Sequence, residues 1–295
     1  MKFYIVDGSW FLFRAYHAYP TLLDADGNNM NAVYGFFRIL FKLMMDKPEY
    51  MVIARDLPVA TKRHELDTDY KANRPEIPND FKQQIPLIHE TVKALGIPSF
   101  GVAGYEADDI IATLAKKMSH PDIQIHIVSS DKDLKQLLNE NVIIRDPMKD
   151  WVLHTQQSFI KEFGFEPKYM LDYLALIGDS ADNIKGIPGI WPKSAIGLIQ
   201  EYHTLENIYA HIGQIKESLQ KKLVEWRKSG EHSKKMIELM DVEEADAYQL
   251  DDFILDPDLG LYRQILVNSY KFDSIGKVLD DLKKKYNTPT QNSLF

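Results

Sequence analysis

Apolar and polar positions along the chain fall into blocks that alternate between two periods. Phe3-Tyr4-Ile5-Val6, Met51-Val52-Ile53-Ala54 and Ile123-Gln124-Ile125-His126-Ile127-Val128 are short, mostly apolar runs of the kind that forms strands buried on both faces. A further strand-like segment, Ser99-Phe100-Gly101-Val102, lies between the second and the third. Asn31 to Asp46 repeats at helical spacing, with Val33, Phe36, Phe37, Leu40, Phe41 and Met44 on one face. Asn79 to Leu95 reads as another helix, closed by Gly96 and Pro98. Ile110 to Ala115 has the spacing of a buried helix that begins just after Gly104. Strands alternating with helices predict an α/β fold with a doubly wound parallel sheet. Right-handed crossovers then bring the carboxyl ends of the strands side by side.

The later chain changes character. Val142 to Arg145 and Trp151 to Leu153 predict a short hairpin around Pro147. From Gln156 onward the pattern is helical almost to the end, which places a boundary near Tyr169 and two closing helices between Tyr262 and Tyr286. The expected division is a core over 1–168, a helical region over 169–286 and a polar tail over 287–295.

Acidic residues collect where this pattern puts strand ends. Asp7 follows the first strand, Asp56 the second and Asp131 with Asp133 the third. Glu106, Asp108 and Asp109 occupy the first turn of the helix that follows Gly104. One acid suffices to cap a helix, and its interaction with the helix dipole contributes under ~1 kcal/mol. Two carboxylates ~5 Å apart repel by about 3 kcal/mol at an effective dielectric near 20. The excess therefore points to a missing cation. Asp179 and Asp182 add two acids at i, i+3 spacing, on one side of the turn if it is helical.

Composition narrows the chemistry. The chain has 295 residues, no cysteine and a net charge of −8. Lack of cysteine excludes disulfides, thiolate metal sites and a cysteine nucleophile, and fits a reducing cytoplasm. No run is long enough to span a bilayer, and the N-terminus reaches an acid too soon for a signal peptide. The negative net charge does not exclude nucleic acid, because acids that hold metals can dominate the sum while basic patches elsewhere meet phosphate. The best such patch is Lys221, Lys222, Arg227, Lys228, Lys234 and Lys235. An all-carboxylate cluster of Asp7, Asp56, Glu106, Asp108, Asp109, Asp131, Asp133, Asp179 and Asp182 selects Mg²⁺ or Mn²⁺. That many acids suit two ions, and two ions suit in-line hydrolysis of a phosphodiester. Gly186 and Gly189 hinge two short elements before Lys193 and Ser194, an arrangement able to offer backbone N–H groups to a phosphate.

Several motifs now stand in a recognisable order: Val6-Asp7-Gly8 with Arg14, Tyr34-Gly35-Phe36, Arg63-His64-Glu65, Tyr70-Lys71-Ala72-Asn73-Arg74, Gly104 to Asp109, Ser130 to Leu134 and Gly178 to Asn183. From its start to about Ala195 the chain resembles the bacterial and phage 5′ nucleases, which include flap endonucleases and the 5′ nuclease domain of DNA polymerase I. The resemblance implies a PIN-like sheet flanked by helices, a helical arch over 57–96 and a helix-hairpin-helix near 184–200. It assigns the nine acids to divalent ions, and Lys71, Arg74 and Arg14 to the scissile phosphate and catalysis. Tyr70 would stack on a base, and Arg63, Gly186, Gly189, Lys193 and Ser194 would contact DNA carrying 5′ flaps, nicks or RNA-primed ends. It also implies a K⁺ ion at the hairpin, although Trp191 stands where the family usually has a second glycine. Arg55 and Lys62 stand where apolar residues are more usual.

No polymerase region follows, so the expected form is a stand-alone enzyme of replication or repair. Gln291, Leu294 and Phe295 resemble a peptide that docks on the bacterial sliding clamp. Competing readings are a catalytically silent DNA-junction binding protein and a PIN-type ribonuclease. Intact carboxylates argue against the first, and the hairpin and chain length against the second.

Overall fold

The computed structural model of the chain describes residues 1–287. Six strands form one sheet in the order β3-β2-β1-β4-β5-β6. They are β1 (Lys2–Asp7), β2 (Tyr50–Ala54), β3 (Ser99–Phe100), β4 (Gln124–Val128), β5 (Val142–Asp146) and β6 (Val152–His154). The first five run parallel, with β1 central and flanked by β2 and β4. β6 is antiparallel to β5, so the sheet is mixed rather than wholly parallel, as the turn at Pro147 requires.

The central strand explains why the sheet needs cover on both sides. Successive side chains of a strand point to opposite faces. Phe3 and Ile5 enter one apolar core, while Tyr4 and Val6 enter the other, and all four are wholly buried. The second core holds α1 (Gly8–Ala18), α2 (Asn31–Met44) and part of α4 (Asn79–Ala94). α3 (Lys62–Leu66) is a single short helix between β2 and α4. α5 (Ala107–Lys117) packs into the first core, sending Ile110, Ile111 and Leu114 into it.

The first core continues into α6 (Gln156–Phe163), α7 (Met170–Ile177), α8 (Pro192–Tyr202), α9 (Leu205–Ala210), α10 (Glu217–Glu225) and α11 (Arg227–Ile237). The closing helices do not extend this group. α12 (Leu259–Tyr262), a π-helical turn over Arg263–Ser269, and α13 (Asp273–Asn287) return to the second core. There Tyr262 stacks on Phe41 with ring centroids 5.7 Å apart, and the Tyr34 and Ser274 hydroxyls meet at 2.8 Å. Residues 259–287 are thus part of the sheet's own covering, which differs from the single helical region expected over 169–286. Among the described residues no helix is long and apolar enough to cross a membrane. Gln291, Leu294 and Phe295 lie outside the described residues.

The turn between α7 and α8 is held by two glycines packed against each other. Gly178 and Gly186 have φ of 74° and 64°, in the left-handed region. A Cβ on Gly178 would lie 2.4 Å from the Ile184 carbonyl oxygen and 2.6 Å from the Gly186 nitrogen. Backbone atoms cannot yield as side-chain ends do. Gly178→Ala is therefore expected to lower the stability measured by denaturant unfolding by more than about 2 kcal/mol. A change within about 0.5 kcal/mol would show that the turn opens freely.

Candidate active site

The ends of β1, β2 and β4 on the carboxyl edge each present an acid. Asp7, the last residue of β1, caps α1 by accepting from the Trp10 amide at 2.9 Å, and its other oxygen accepts from the Ser129 hydroxyl at 2.7 Å. Asp56 follows β2 and accepts from the Ala107 amide at 2.7 Å, at the start of α5. Past β4, Asp131 accepts from the Asp133 amide at 2.8 Å. Asp133 is itself buried and opens a short 3-10 turn, with Oδ1 lacking any hydrogen-bond partner. Asp179 and Asp182 reach the same edge from the turn after α7.

Their mutual influence shows how closely they are gathered. Burial pushes the Asp7 carboxyl up to about 7, against hydrogen bonds from Trp10 and Ser129 and with help from the charges of Asp56 and Asp131. Asp108 is raised well above the usual carboxylate range by burial, then by Asp131, Asp7 and Asp56. Burial also raises Asp131 and Asp133, and both feel Asp179 and Asp182. Aligned burial and like charge disfavour the anionic forms wherever no cation is present.

Basic side chains partly fill that role. Lys71 Nζ lies 2.7 Å from Glu106 and 3.9 Å from Asp182. Arg74 lies 2.6 Å from Asp182, and Lys132 lies 3.0 Å from Asp179. Among the described residues no three acids or histidines already stand in a coordinating arrangement. The donor set nevertheless fits hard divalent ions: it is all oxygen, it crowds Asp7, Asp108, Asp131 and Asp133 together, and the buried Asp133 Oδ1 has no other partner.

Three expected site residues serve the scaffold instead. Asp109 is wholly buried and accepts from both Arg63 guanidinium nitrogens at 2.7 and 2.8 Å, from the Glu106 amide at 3.0 Å and from the Met240 amide at 2.9 Å. Its acceptor positions are taken, so it does not suit a metal ligand. Arg63, expected at DNA, is buried and also donates to the carbonyls of Met236 and Glu238, both at 2.8 Å. Burial opposes its charge, but Asp109 and then Glu106 hold the guanidinium protonated. Tyr70 is 5% exposed and donates to Glu106 at 2.9 Å and Asp182 at 3.2 Å, so its ring is not presented to a base.

The segment over 57–96 contains α3 and then a turn that folds onto the Asp179 region. Lys71 N donates to Asp182 O, Asn73 to Ser180 O and Asn183 to Asp69 O. Lys71 itself has φ 57°, which aims its ammonium at Glu106. Arg14 lies apart from the carboxylates, on the wall of a separate cavity. Ser129 and Lys132 hold Asp7 and Asp179 in place, and no spacing rule marked them.

At the hairpin, Gly186 is fixed by Ser229 and Ser233, while Lys193 is exposed beside the half-buried Ser194 at the start of α8. The Gly189 carbonyl accepts from Lys222 Nζ at 2.8 Å. An ammonium on that carbonyl, with Trp191 71% exposed beside it, does not fit a bound K⁺ ion. The basic run is largely engaged as well: Lys221 pairs with Glu217, Arg227 with Glu231, and Lys234 with Asp172 and Glu206.

Residues 2–164 match the family of the 5′–3′ exonuclease N-terminal resolvase-like domain, and residues 165–257 match the 5′–3′ exonuclease C-terminal SAM fold. The chain belongs to the 5′–3′ exonuclease family. It is 40% identical over 294 residues to a 5′–3′ exonuclease of Aquifex aeolicus, a match spanning 99% of each protein. It is 36% identical over 240 residues to DNA polymerase I of Bacillus caldotenax, covering 80% of this chain and 27% of the polymerase. Among solved structures, the T5 D15 protein co-crystallised with metal ions has the same fold, with TM-score 0.68, 19% identity and 97% and 99% of the two chains covered. The catalytic core of Rad2 in complex with DNA substrate also shares it, with TM-score 0.64, 19% identity and 95% and 92% covered.

Two outcomes follow from this geometry. Arg63→Ala leaves Asp109 charged and buried without its partner, and is expected to destabilise the protein by about 3–5 kcal/mol in denaturant unfolding. A loss under 1 kcal/mol would mean that water replaces the guanidinium. The second concerns pH. With its carboxyl at about 7 in the folded state and near 4 when unfolded, Asp7 holds more proton in the folded protein across that window. In chelator, stability should therefore fall as pH rises from about 4 to about 7, and Asp7→Asn should lessen the fall, leaving the share of Asp108, Asp131 and Asp133. Thermal unfolding midpoints across that range check this; a wild-type midpoint that rises throughout contradicts it.

Proposed function

We propose that this chain is a metal-dependent, structure-selective 5′ nuclease that hydrolyses phosphodiesters near the 5′ end of flapped, nicked or RNA-primed DNA, in replication or repair. The observation that carries the reading is the convergence of Asp7, Asp108, Asp131 and Asp133 at one sheet edge, where burial and mutual repulsion raise all four carboxyls. Asp7, Asp56, Glu106, Asp108, Asp131, Asp133, Asp179 and Asp182 are the residues that would hold Mg²⁺ or Mn²⁺. Two such ions, when bound, lower the pKa of an attacking water and stabilise the leaving oxygen.

The chain's own bases supply positioning. Lys71 and Arg74 sit on Glu106 and Asp182, at the border of the acidic edge, where their donors can pass to a phosphate. The turn from Gly186 to Trp191 and the start of α8, with Lys193 and Ser194, would grip duplex backbone without reading its sequence. The likeness to a 5′–3′ exonuclease over 99% of both chains, and to solved structures described with metal ions and with DNA, supports the same reading.

The test is cleavage of an end-labelled 5′-flap duplex. With Mg²⁺ the wild type should cut near the branch, and excess chelator should abolish cutting. Asp131→Ala should lower the rate by more than about a hundredfold while leaving the duplex bound. Undiminished cutting in chelator, or by Asp131→Ala, counts against a metal-dependent mechanism. Binding without cutting by the wild type would make the chain a junction-binding protein, and cutting of free RNA alone a ribonuclease.

A further inference from the structure

Away from the carboxylates, α1, α2, α13 and the connection from β5 to β6 border an open cavity of about 380 Å³. Three cations line it: Arg14 from α1, and Arg38 and Lys42 one turn apart on α2. None of the three pairs with a carboxylate among the described residues. Arg38 instead lies over the Tyr34 ring at 5.8 Å, and Lys42 over the Trp151 ring at 4.7 Å. The one acid on the wall, Asp281, stands 3.4 Å from Lys284. Three like charges around one hollow repel one another, and among the described residues the only acid facing them is Asp281, which is shared with Lys284.

The aromatic wall is held there at a conformational cost. Asp150 and Trp151 have φ of 52° and 63°, two consecutive non-glycine residues in the left-handed region. Asp146, which is buried, anchors the turn by accepting from the Met148 amide at 2.9 Å and from the Ser130 hydroxyl. Strained backbone that presents an indole beside three cations, none of them paired with a carboxylate among the described residues, is more than a surface turn needs. Arg14 lies seven residues beyond Asp7 on α1, about 10 Å along the helix axis. The cavity is therefore a neighbour of the acidic edge but separate from it.

We propose that this cavity holds one nucleotide, with its phosphate among Arg14, Arg38 and Lys42 and its base against Trp151. Charge selects an anion, and bidentate guanidinium donors favour phosphate. A bare phosphate leaves most of the hollow unfilled, whereas a volume of this order suits a small organic ligand. The indole supplies the flat apolar face on which a base stacks. Two sources share this chemistry: a free mononucleotide, and an unpaired nucleotide at the end of a strand. The second source rests on the nuclease reading above; the first does not.

The test is calorimetric titration of dAMP, of a short oligodeoxyadenylate and of inorganic phosphate into the full chain in chelator, so that no cleavage enters the readout. Wild type should bind dAMP, and Arg38→Ala and Lys42→Ala should each weaken it about tenfold. Trp151→Ala should weaken dAMP several-fold and Trp151→Phe much less. Thermal unfolding of each variant confirms folding, and Arg38→Lys, which keeps the charge but not the planar fork, should recover part of the affinity lost in Arg38→Ala. Binding of the oligonucleotide but not of dAMP, with the same losses in the variants, assigns the site to a strand end. Equal binding by wild type and all variants overturns the proposal, as does phosphate that binds as tightly as dAMP and ignores Trp151. Failure of flap cleavage with dAMP binding intact would leave this site standing without the nuclease reading.

Discussion

The buried pair of Arg63 and Asp109 is the constraint on which the geometry of the acidic edge depends. Arg63 comes from α3, Asp109 from the first turn of α5, and the carbonyls that complete the guanidinium's donors come from the end of α11 and the residues after it. Asp109 in turn accepts from the amides of Glu106 and Met240. Three segments remote in sequence are thereby joined at one point. Such a pair is weak evidence for net stability, since desolvation offsets much of its attraction, but it is exacting about position. It sets where α5 starts, and so where Glu106 and Asp108 stand relative to the strand ends.

Around that anchor the protein accumulates charge that it does not neutralise by itself. Ser129, the Trp10 amide and the Ala107 amide hold individual carboxylates in place without cancelling their repulsion. Lys71, Arg74 and Lys132 offset part of it at the border, toward Glu106, Asp182 and Asp179. The centre, with Asp7, Asp108, Asp131 and Asp133, is left to whatever cation enters. A protein folded only for stability would have put apolar residues there.

Much of this was legible in the order of residues. Apolar runs of strand length ending in Asp7, Asp56 and Asp131, with helices between them, specify a parallel sheet and the edge on which its acids meet. The excess of acids after Gly104 likewise marked the start of α5 as a part of that edge, although one of them, Asp109, is taken up by Arg63. What spacing did not reveal was which charges go inside. Arg63, Asp109 and Tyr70 belong to the same motifs as their exposed neighbours, and only tertiary burial separates the scaffold from the site. The antiparallel β6 matches the hairpin expected around Pro147, whereas the return of α12 and α13 to the core beside α2 depends on long-range packing, such as Tyr262 on Phe41, that local periodicity does not encode. Ser129 and Lys132 were given no role because a lone serine or lysine after a strand is ordinary.

The closely packed glycines after α7 have a mechanical consequence. Asp179 N and O bond to Ile184 O and N at 2.8 and 2.7 Å, and Gly178 meets Gly186 with no room for a side chain between them. The turn that carries Asp179 and Asp182 and the hairpin that leads into α8 therefore move as a single rigid piece. A substrate touching both meets a gauge of fixed length, and the interval between them is set by backbone contact rather than by a hinge.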